Sequence, residues 1–109
     1  AGAALSRRLL AEDETALEHW LDTLTPLDRR GRLQLPNLRS APRALMRRAL
    51  HRWLLRQELA GRLSRQGFEG LLALLIRGTP SRFSLGTEGF AVIHEDRLVF
   101  VRGHRKSVR

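Results

Sequence analysis

The first part of the chain places its apolar residues with the period of an α-helix. Between Leu5 and Leu24 the apolar side chains fall within about half of a helical wheel, and most acidic side chains lie outside it. The apolar positions are Leu5, Leu9, Leu10, Ala16, Leu17, Trp20, Leu21 and Leu24. This spacing predicts an amphipathic helix. Asp13 lies inside the apolar arc and is a candidate for a partly buried acid that pairs with an arginine.

A second helix is predicted after a short extended segment. Pro26 ends the first helical region, and the segment Arg32–Leu35 alternates as a short strand does. Ser40 and Pro42 favour a helix start, because serine caps free amides and proline is tolerated in the first turn. The pattern then predicts a helix to about Ala60, closed by a glycine. Its apolar arc consists of Leu45, Met46, Ala49, Leu50, Trp53 and Leu54.

The two tryptophans of the chain lie on these apolar stripes. Trp20 belongs to the first helix and Trp53 to the second. We expect both in the core, where they would pack the first helix against the second. Stacking on a nucleic-acid base is the alternative role for either ring.

A third helix and a sheet complete the pattern. Ser64 is the cap candidate for a helix Arg65–Arg77, which Gly78 ends. Beyond it the period changes to two, which predicts strands. The alternating segments are Arg82–Leu85, Phe90–His94 and Arg97–Val101. The predicted fold class is α+β: a long helix, a basic helix and a buried Leu-rich helix, followed by a small three-stranded antiparallel sheet.

The predicted organisation has three parts. Residues 1–28 form a connector helix, residues 29–102 form the main domain of helices and β-meander, and residues 103–109 form a basic tail or linker. A length of 109 residues fits one domain. Because the chain starts at Ala1 and opens directly into a helix, we expect it to be a piece of a longer protein.

Positive charge is concentrated in one block of the sequence. The formal net charge is +9, yet residues 1–28 hold only two arginines against six acids. Residues 29–56 contain nine arginines and no acid. These are Arg29, Arg30, Arg32, Arg39, Arg43, Arg47, Arg48, Arg52 and Arg56. Like charges four residues apart on a helix repel each other, so an acidic partner would relieve the strain.

Three partners could supply that acidic charge. Clustered arginines favour the phosphates of a nucleic acid, which the guanidinium binds in a bidentate manner. The alternatives are a solvated face partly neutralised by the acids of the first helix, and an acidic protein for which this chain is a scaffold.

The element order is also that of a winged-helix DNA-binding domain. However, the third helix offers few side chains for reading bases.

Several kinds of chemistry are disfavoured by the sequence. The chain contains no cysteine, no Gly-rich phosphate loop, no G-x-S-x-G and no H-E-x-x-H. Its four histidines are scattered, which favours ordinary surface residues over a metal site. We therefore expect no catalytic residue, metal or cofactor in this segment.

No apolar run reaches the roughly 18 residues of a membrane span, and no signal peptide is recognisable, so we expect a soluble cytoplasmic protein.

The run from Pro42 to Leu54 resembles a known family. It is similar to the P-x-A-L-x-R-R-x-L-x-R-W-L helix in the substrate-binding region of tRNA(Ile)-lysidine synthetases. Residues 63–72 resemble the next helix of that family, and residues 82–86 with Arg97 resemble its closing sheet. The similarity covers roughly residues 33–101. The chain departs from the family at Gly86–Gly89 and at His94, where the family often has a Gly-Gly turn and a basic residue.

The resemblance implies a role in tRNA binding. Such enzymes use ATP to ligate lysine to the wobble cytidine of an isoleucine tRNA, and their S-G-G-x-D-S loop does not occur here. Residues 29–102 would then hold tRNA, while ATP, magnesium and lysine would bind a separate catalytic domain. The residues predicted to contact RNA are Arg39, Arg43, Arg47, Arg48, Arg52, Arg56 and Arg82.

Overall fold

The computed structural model describes the backbone of residues 2–103 and the side chains of residues 11–103. The helices are α1 (Gly2–Thr23), α2 (Arg43–Arg56) and α3 (Arg65–Arg77). The strands are β1 (Leu33–Gln34), β2 (Ser81–Ser84), β3 (Gly89–His94) and β4 (Arg97–Arg102). Two 3-10 helices, Leu35–Leu38 and Gly86–Glu88, complete the elements. The predicted tail lies outside the described residues beyond Gly103.

The sheet has four strands, so the prediction of a three-stranded sheet was wrong. The strand order is β1-β4-β3-β2, and every neighbouring pair is antiparallel. The additional strand is β1, in which Leu33 pairs with Leu98 and Gln34 with Arg97. The alternation at residues 32–35 had indicated an extended segment but not its partner. Two residues carry too little pattern to predict a pairing that spans more than 60 positions of sequence.

The core lies between the helices and one face of the sheet. Trp53 of α2 is fully buried, as predicted, and belongs to one cluster with helical and sheet residues. The sheet contributes Leu33, Ala91, Ile93 and Leu98 to that cluster. Along β3 the residues that alternate with these are half-buried or exposed. The alternation therefore leaves one sheet face against the helices and the other turned away from them.

Two predictions about α1 side chains were wrong. Trp20 is 46% exposed, because α1 beyond residue 10 contacts the core through Leu17 and Leu21, followed by Leu24 directly after the helix. Asp13 is exposed and forms no ion pair with any side chain of residues 11–103. In this described part of α1 the apolar arc of the sequence is thus wider than the face that packs on the core.

The ends of α3 follow prediction, whereas those of α2 differ. Ser64 caps α3 by accepting a hydrogen bond from the Gly67 amide at 2.9 Å, and Gly78 ends α3 in the left-handed conformation. In contrast, α2 begins after Pro42 with no side-chain cap, so the predicted cap at Ser40 was wrong. It also ends at Arg56, four residues before the predicted end at Ala60.

A Schellman motif explains the early end of α2. Glu58 takes a positive φ of 61°, its amide bonds to the Leu55 carbonyl, and the Leu59 amide bonds to the Leu54 carbonyl. Leu59 is buried beside the helix it closes. The residue that takes the left-handed conformation after a helix is usually glycine, and here it is a glutamate. The sequence therefore did not indicate that α2 ends at this point.

The burial of β1 predicts the effect of truncating Leu33. We expect Leu33→Ala to lower the free energy of unfolding by about 2–5 kcal/mol, because this fully buried side chain leaves a cavity between strand and helices. The control Leu55→Ala removes the same atoms from a residue that is 55% exposed and should change stability by about 0.5 kcal/mol or less. Equal effects in denaturant unfolding would contradict the placement of β1.

Candidate nucleic-acid interface

One flank of α2 is neutralised by α1. Arg48 donates to Glu18 at 2.6 Å, and Arg52 donates to Asp22 at 2.8 Å and also to Glu18. Glu14 lies farther away, with an oxygen 3.9 Å from the Arg48 guanidinium. The hydrogen bonds from Arg48 and then from Arg52 hold the pKa of Glu18 below its usual value. These two arginines therefore join α2 to the acidic face of α1.

The opposite flank contacts α3. The Arg47 guanidinium binds both carboxylate oxygens of Glu69 and lies 6.0 Å from the centre of the Phe68 ring. This hydrogen bonding lowers the pKa of Glu69. Arg43, one turn earlier, is exposed and forms no ion pair with the described side chains. Compensation on this flank is thus limited to a single arginine of α2.

A groove runs beside the N-terminus of α2. It has a volume of about 390 Å³, and its rim carries Arg39, Arg43 and Arg77. The floor is formed by Leu35, Leu38, Ala41, Met46, Leu75 and Ile76. Arg39 is held at one end by an ion pair of 2.8 Å with Asp96 of the β3–β4 turn. The groove thus brings together two of the predicted RNA-contacting residues, Arg39 and Arg43.

Arg82 lies apart from the other predicted residues. It alternates along β2 with Phe83, whose ring approaches Gly70 of α3 on the helical side of the sheet. Arg82 consequently projects from the other face, where its guanidinium lies 4.5 Å from the centre of the Phe90 ring. A ligand bound along α2 would have to reach around the sheet edge to contact it.

A tight turn precedes β1 and carries arginines that the prediction did not single out. The Gly31 amide donates to the Asp28 carbonyl at 3.0 Å, and the Asp28 amide donates to the Arg32 carbonyl at 2.9 Å. Gly31 has a φ of 80°, which the turn requires and which a glycine adopts without strain. The signal in the sequence was the combination Asp28-Arg29-Arg30-Gly31, typical of a turn that presents its two central side chains to solvent.

The Asp28 carboxylate organises this turn. It accepts hydrogen bonds from the amides of Arg30 and Arg32, each at 2.9 Å, and from Arg32 Nε at 2.7 Å. Arg97 Nε lies 3.7 Å away. Although burial acts to raise the pKa of Asp28, the hydrogen bonds outweigh it and hold that pKa below its usual value. The Asp28 carboxylate therefore stabilises the turn.

The end of α2 adds a further arginine to this corner. Arg56 packs across Gly31 and donates to the Arg29 carbonyl at 3.3 Å, and the neighbouring Gln57 side chain donates to the Gly31 carbonyl at 3.0 Å. We call the resulting group the arginine cluster. Its members are Arg29, Arg30, Arg32, Arg56 and Arg97.

The predicted RNA-contacting residues therefore do not form one surface. Arg39 and Arg43 line the groove, whereas Arg47 is bound to Glu69 and lines a separate cavity. Arg48 and Arg52 are engaged by α1, Arg56 joins the arginine cluster, and Arg82 lies on the outer sheet face. Some of the predicted arginines thus hold the fold, and others remain available to a ligand.

No group of three or more His, Asp or Glu side chains among the described residues is arranged to hold a metal ion. None of the helices in the described part of the chain is long and apolar enough to cross a membrane.

Comparisons of the chain with protein-family models, with curated proteins and with solved structures found no match. The resemblance to tRNA(Ile)-lysidine synthetases therefore stays a prediction from sequence.

The shared carboxylate of Glu18 predicts a pH-dependent contribution to stability. Because its pKa is lower in the folded state, the contribution is present above the unfolded value of about 4.3 and is lost as pH falls through the folded pKa. Since the side chain is 45% exposed, we expect wild type to exceed Glu18→Gln by less than about 1 kcal/mol at pH 7. The difference should shrink as pH falls below about 4.3 in denaturant unfolding.

Glu12→Gln is the matched control for that experiment. Glu12 is exposed on the same helix and forms no ion pair with the described side chains, so its substitution should change stability by about 0.5 kcal/mol or less at pH 7. A wild-type advantage over Glu18→Gln that persisted undiminished at pH 3 would contradict the assigned role of Glu18.

Proposed function

We propose that this chain is the tRNA-binding part of a tRNA(Ile)-lysidine synthetase and that it holds RNA through contacts from arginines to the phosphate backbone. Catalysis, with its ATP, magnesium and lysine, would take place in a separate domain of such an enzyme. In this proposal the chain contributes affinity and orientation, and none of its own residues takes part in bond formation.

The observation that carries the proposal is a set of exposed arginines without acidic partners. They form no ion pair with any side chain of residues 11–103, and we call them the unpaired arginines. They are Arg29, Arg30, Arg43, Arg56, Arg65, Arg77, Arg82 and Arg102. Guanidinium groups with free donors bind phosphate oxygens in a bidentate manner, and their number determines how many counterions a polyanion releases.

The surroundings of these arginines favour a nucleic acid over a protein partner. Protein interfaces usually contain an apolar centre surrounded by a polar rim. The large apolar residues exposed in the described part of the chain are Trp20, Leu55, Ile76 and Val101. They belong to α1, α2, α3 and β4 respectively. The cavity of the arginine cluster is lined, among the described residues, by arginines and Asp28 with no apolar side chain, which fits a phosphate backbone, whereas the groove beside α2 combines an apolar floor with arginines at its rim.

The exposed face of α3 favours backbone contact over base reading. It presents Arg65, Gln66, Ala73 and Arg77, while Glu69 on the same helix is bound to Arg47. A recognition helix in a DNA major groove needs several side chains that reach base edges. Double-stranded RNA is instead recognised mostly through shape, phosphates and 2′-hydroxyl groups. These residues therefore support RNA as the ligand more strongly than duplex DNA.

The motif that carries the family resemblance also has a structural explanation. Leu45, Leu50, Trp53 and Leu54 of that motif are buried, and its arginines lie on the flanks of the buried stripe. The motif thus specifies a helix that packs through one face and carries arginines on both sides of it, of which Arg47, Arg48 and Arg52 are ion-paired to α1 and α3. Arg43 is the motif arginine that forms no ion pair with the described side chains, so it is the one available to a phosphate.

The proposal predicts salt-sensitive binding of tRNA. Fluorescence anisotropy with a labelled tRNA transcript should show binding that weakens as salt rises from about 50 to about 200 mM. If about four phosphates are contacted, the slope of log K against log salt should lie near −3 to −4, because each contact contributes roughly −0.9. A duplex DNA of similar length should bind more weakly.

Two results would contradict this function. The absence of tRNA binding at low salt would favour a scaffold that docks on an acidic protein. Tighter binding to duplex DNA than to tRNA would favour the DNA-binding alternative. In either case the resemblance to the synthetase family would lose its functional support.

A further inference from the structure

We propose that the arginine cluster is a phosphate-binding site and the principal contact of this domain with the RNA backbone. The inference depends on the proposed function and names the part of the surface that performs it. It also reassigns Arg48 and Arg52, which the sequence placed among the RNA contacts, to the role of holding α1 on α2.

The cluster forms a concave surface of suitable chemistry. A cavity of about 300 Å³ is lined by Asp28, Arg29, Arg30, Arg32 and Arg97. Arg56 adjoins it through its hydrogen bond to the Arg29 carbonyl. The side chains around this corner are thus arginines with one acid among them. A phosphodiester offers oxygens that match several guanidinium groups at once.

The acid of the site does not cancel its charge. The Asp28 carboxylate accepts hydrogen bonds from two backbone amides and from Arg32, and it lies near Arg97. Its negative charge therefore interacts with the turn backbone, Arg32 and Arg97. Arg29, Arg30 and Arg56 are exposed and have no acidic partner among the described side chains. These three groups carry the uncompensated charge of the site.

The backbone of the site is held in place by several contacts. Two backbone hydrogen bonds close the turn, the Asp28 carboxylate spans it, and Gln57 and Arg56 tie it to the end of α2. Gly31 allows the Arg56 side chain to pass close by, since a Cβ at that position would lie 3.0 Å from Arg56 Cγ. Binding would therefore order mainly the exposed Arg29 and Arg30 side chains and not the turn that carries them.

The central arginines of α2 are less suited to phosphate contact. The Arg48 and Arg52 side chains are only 26% and 28% exposed and are hydrogen-bonded to Glu18 and Asp22. To bind a phosphate they would have to leave these carboxylates, which would then face the polyanion. Their repulsion would oppose binding, because like charges disfavour each other at close range.

A pair of double variants of the full chain tests the inference. Arg29→Ala/Arg30→Ala and Arg48→Ala/Arg52→Ala each remove two formal positive charges, so a long-range charge effect would be equal in both. We expect the first variant to bind labelled tRNA at least tenfold more weakly and to reduce the salt slope by about 2. The second should weaken binding less than about threefold, and circular dichroism should establish that both are folded.

The possible outcomes separate this inference from the proposed function. If wild type binds tRNA and the two variants lose affinity equally, or the Arg48→Ala/Arg52→Ala variant loses more, the arginine cluster is not the principal site and only this inference fails. If wild type does not bind tRNA at low salt, the proposed function fails together with it. An Arg29→Lys/Arg30→Lys variant that restores the salt slope but not the full affinity would support bidentate contact by guanidinium groups.

Discussion

Burial of the apolar stripe of α2 determines the position of every arginine on that helix. Leu45, Leu50 and Trp53 are fully buried between α1, α3 and the sheet. The arginines of α2 therefore lie on the two sides of this buried stripe. On those sides Glu18 of α1 and Glu69 of α3 lie within reach of guanidinium groups. Packing and charge are therefore coupled: the same contacts that bury the stripe bring the acids to the arginines.

This coupling divides the arginines into two kinds. Those in the middle of α2 face neighbouring helices and form ion pairs with them. Ion pairs at a partly exposed surface contribute modestly to stability, but these pairs hold α1 against α2. Arg43 and Arg56, near the two ends of α2, form no ion pair with the described side chains. At the C-terminal end Arg56 meets the Asp28–Arg32 turn, where Asp28 serves the turn itself. In the folded chain, some arginines of the acid-free block are thus ion-paired with acids of other elements, and others keep an unneutralised positive charge.

The elements with local signals could be predicted from the sequence. The α3 helix was predicted with its bounds because Ser64 and Gly78 are typical capping residues, and the stripe of α2 was predicted because its period is regular. The additional strand was not, because β1 has two residues and its partner β4 lies far away in sequence. The end of α2 was concealed by Glu58 in a left-handed position.

The site was predictable only in part for a similar reason. Helical spacing places Arg43, Arg47 and Arg48 on the flanks of a stripe, but it does not reveal which acids face them after the chain folds. The pairing of Arg47 with Glu69 spans 22 positions, and that of Arg48 with Glu18 spans 30. The arginine cluster joins residues from a turn, a helix end and a strand, and only the tertiary fold brings Arg56 and Arg97 to the same corner.

Nuclear magnetic resonance of the arginine side chains distinguishes the arginines that bind RNA from those that hold α1 on α2. The Nε–Hε signals can be followed residue by residue while tRNA is titrated into the labelled protein. We expect the largest changes at Arg29, Arg30 and Arg56, with the signals of Arg48 and Arg52 nearly unmoved because their ion pairs to α1 persist. Large changes at Arg48 and Arg52 together with unmoved signals in the arginine cluster would contradict that expectation.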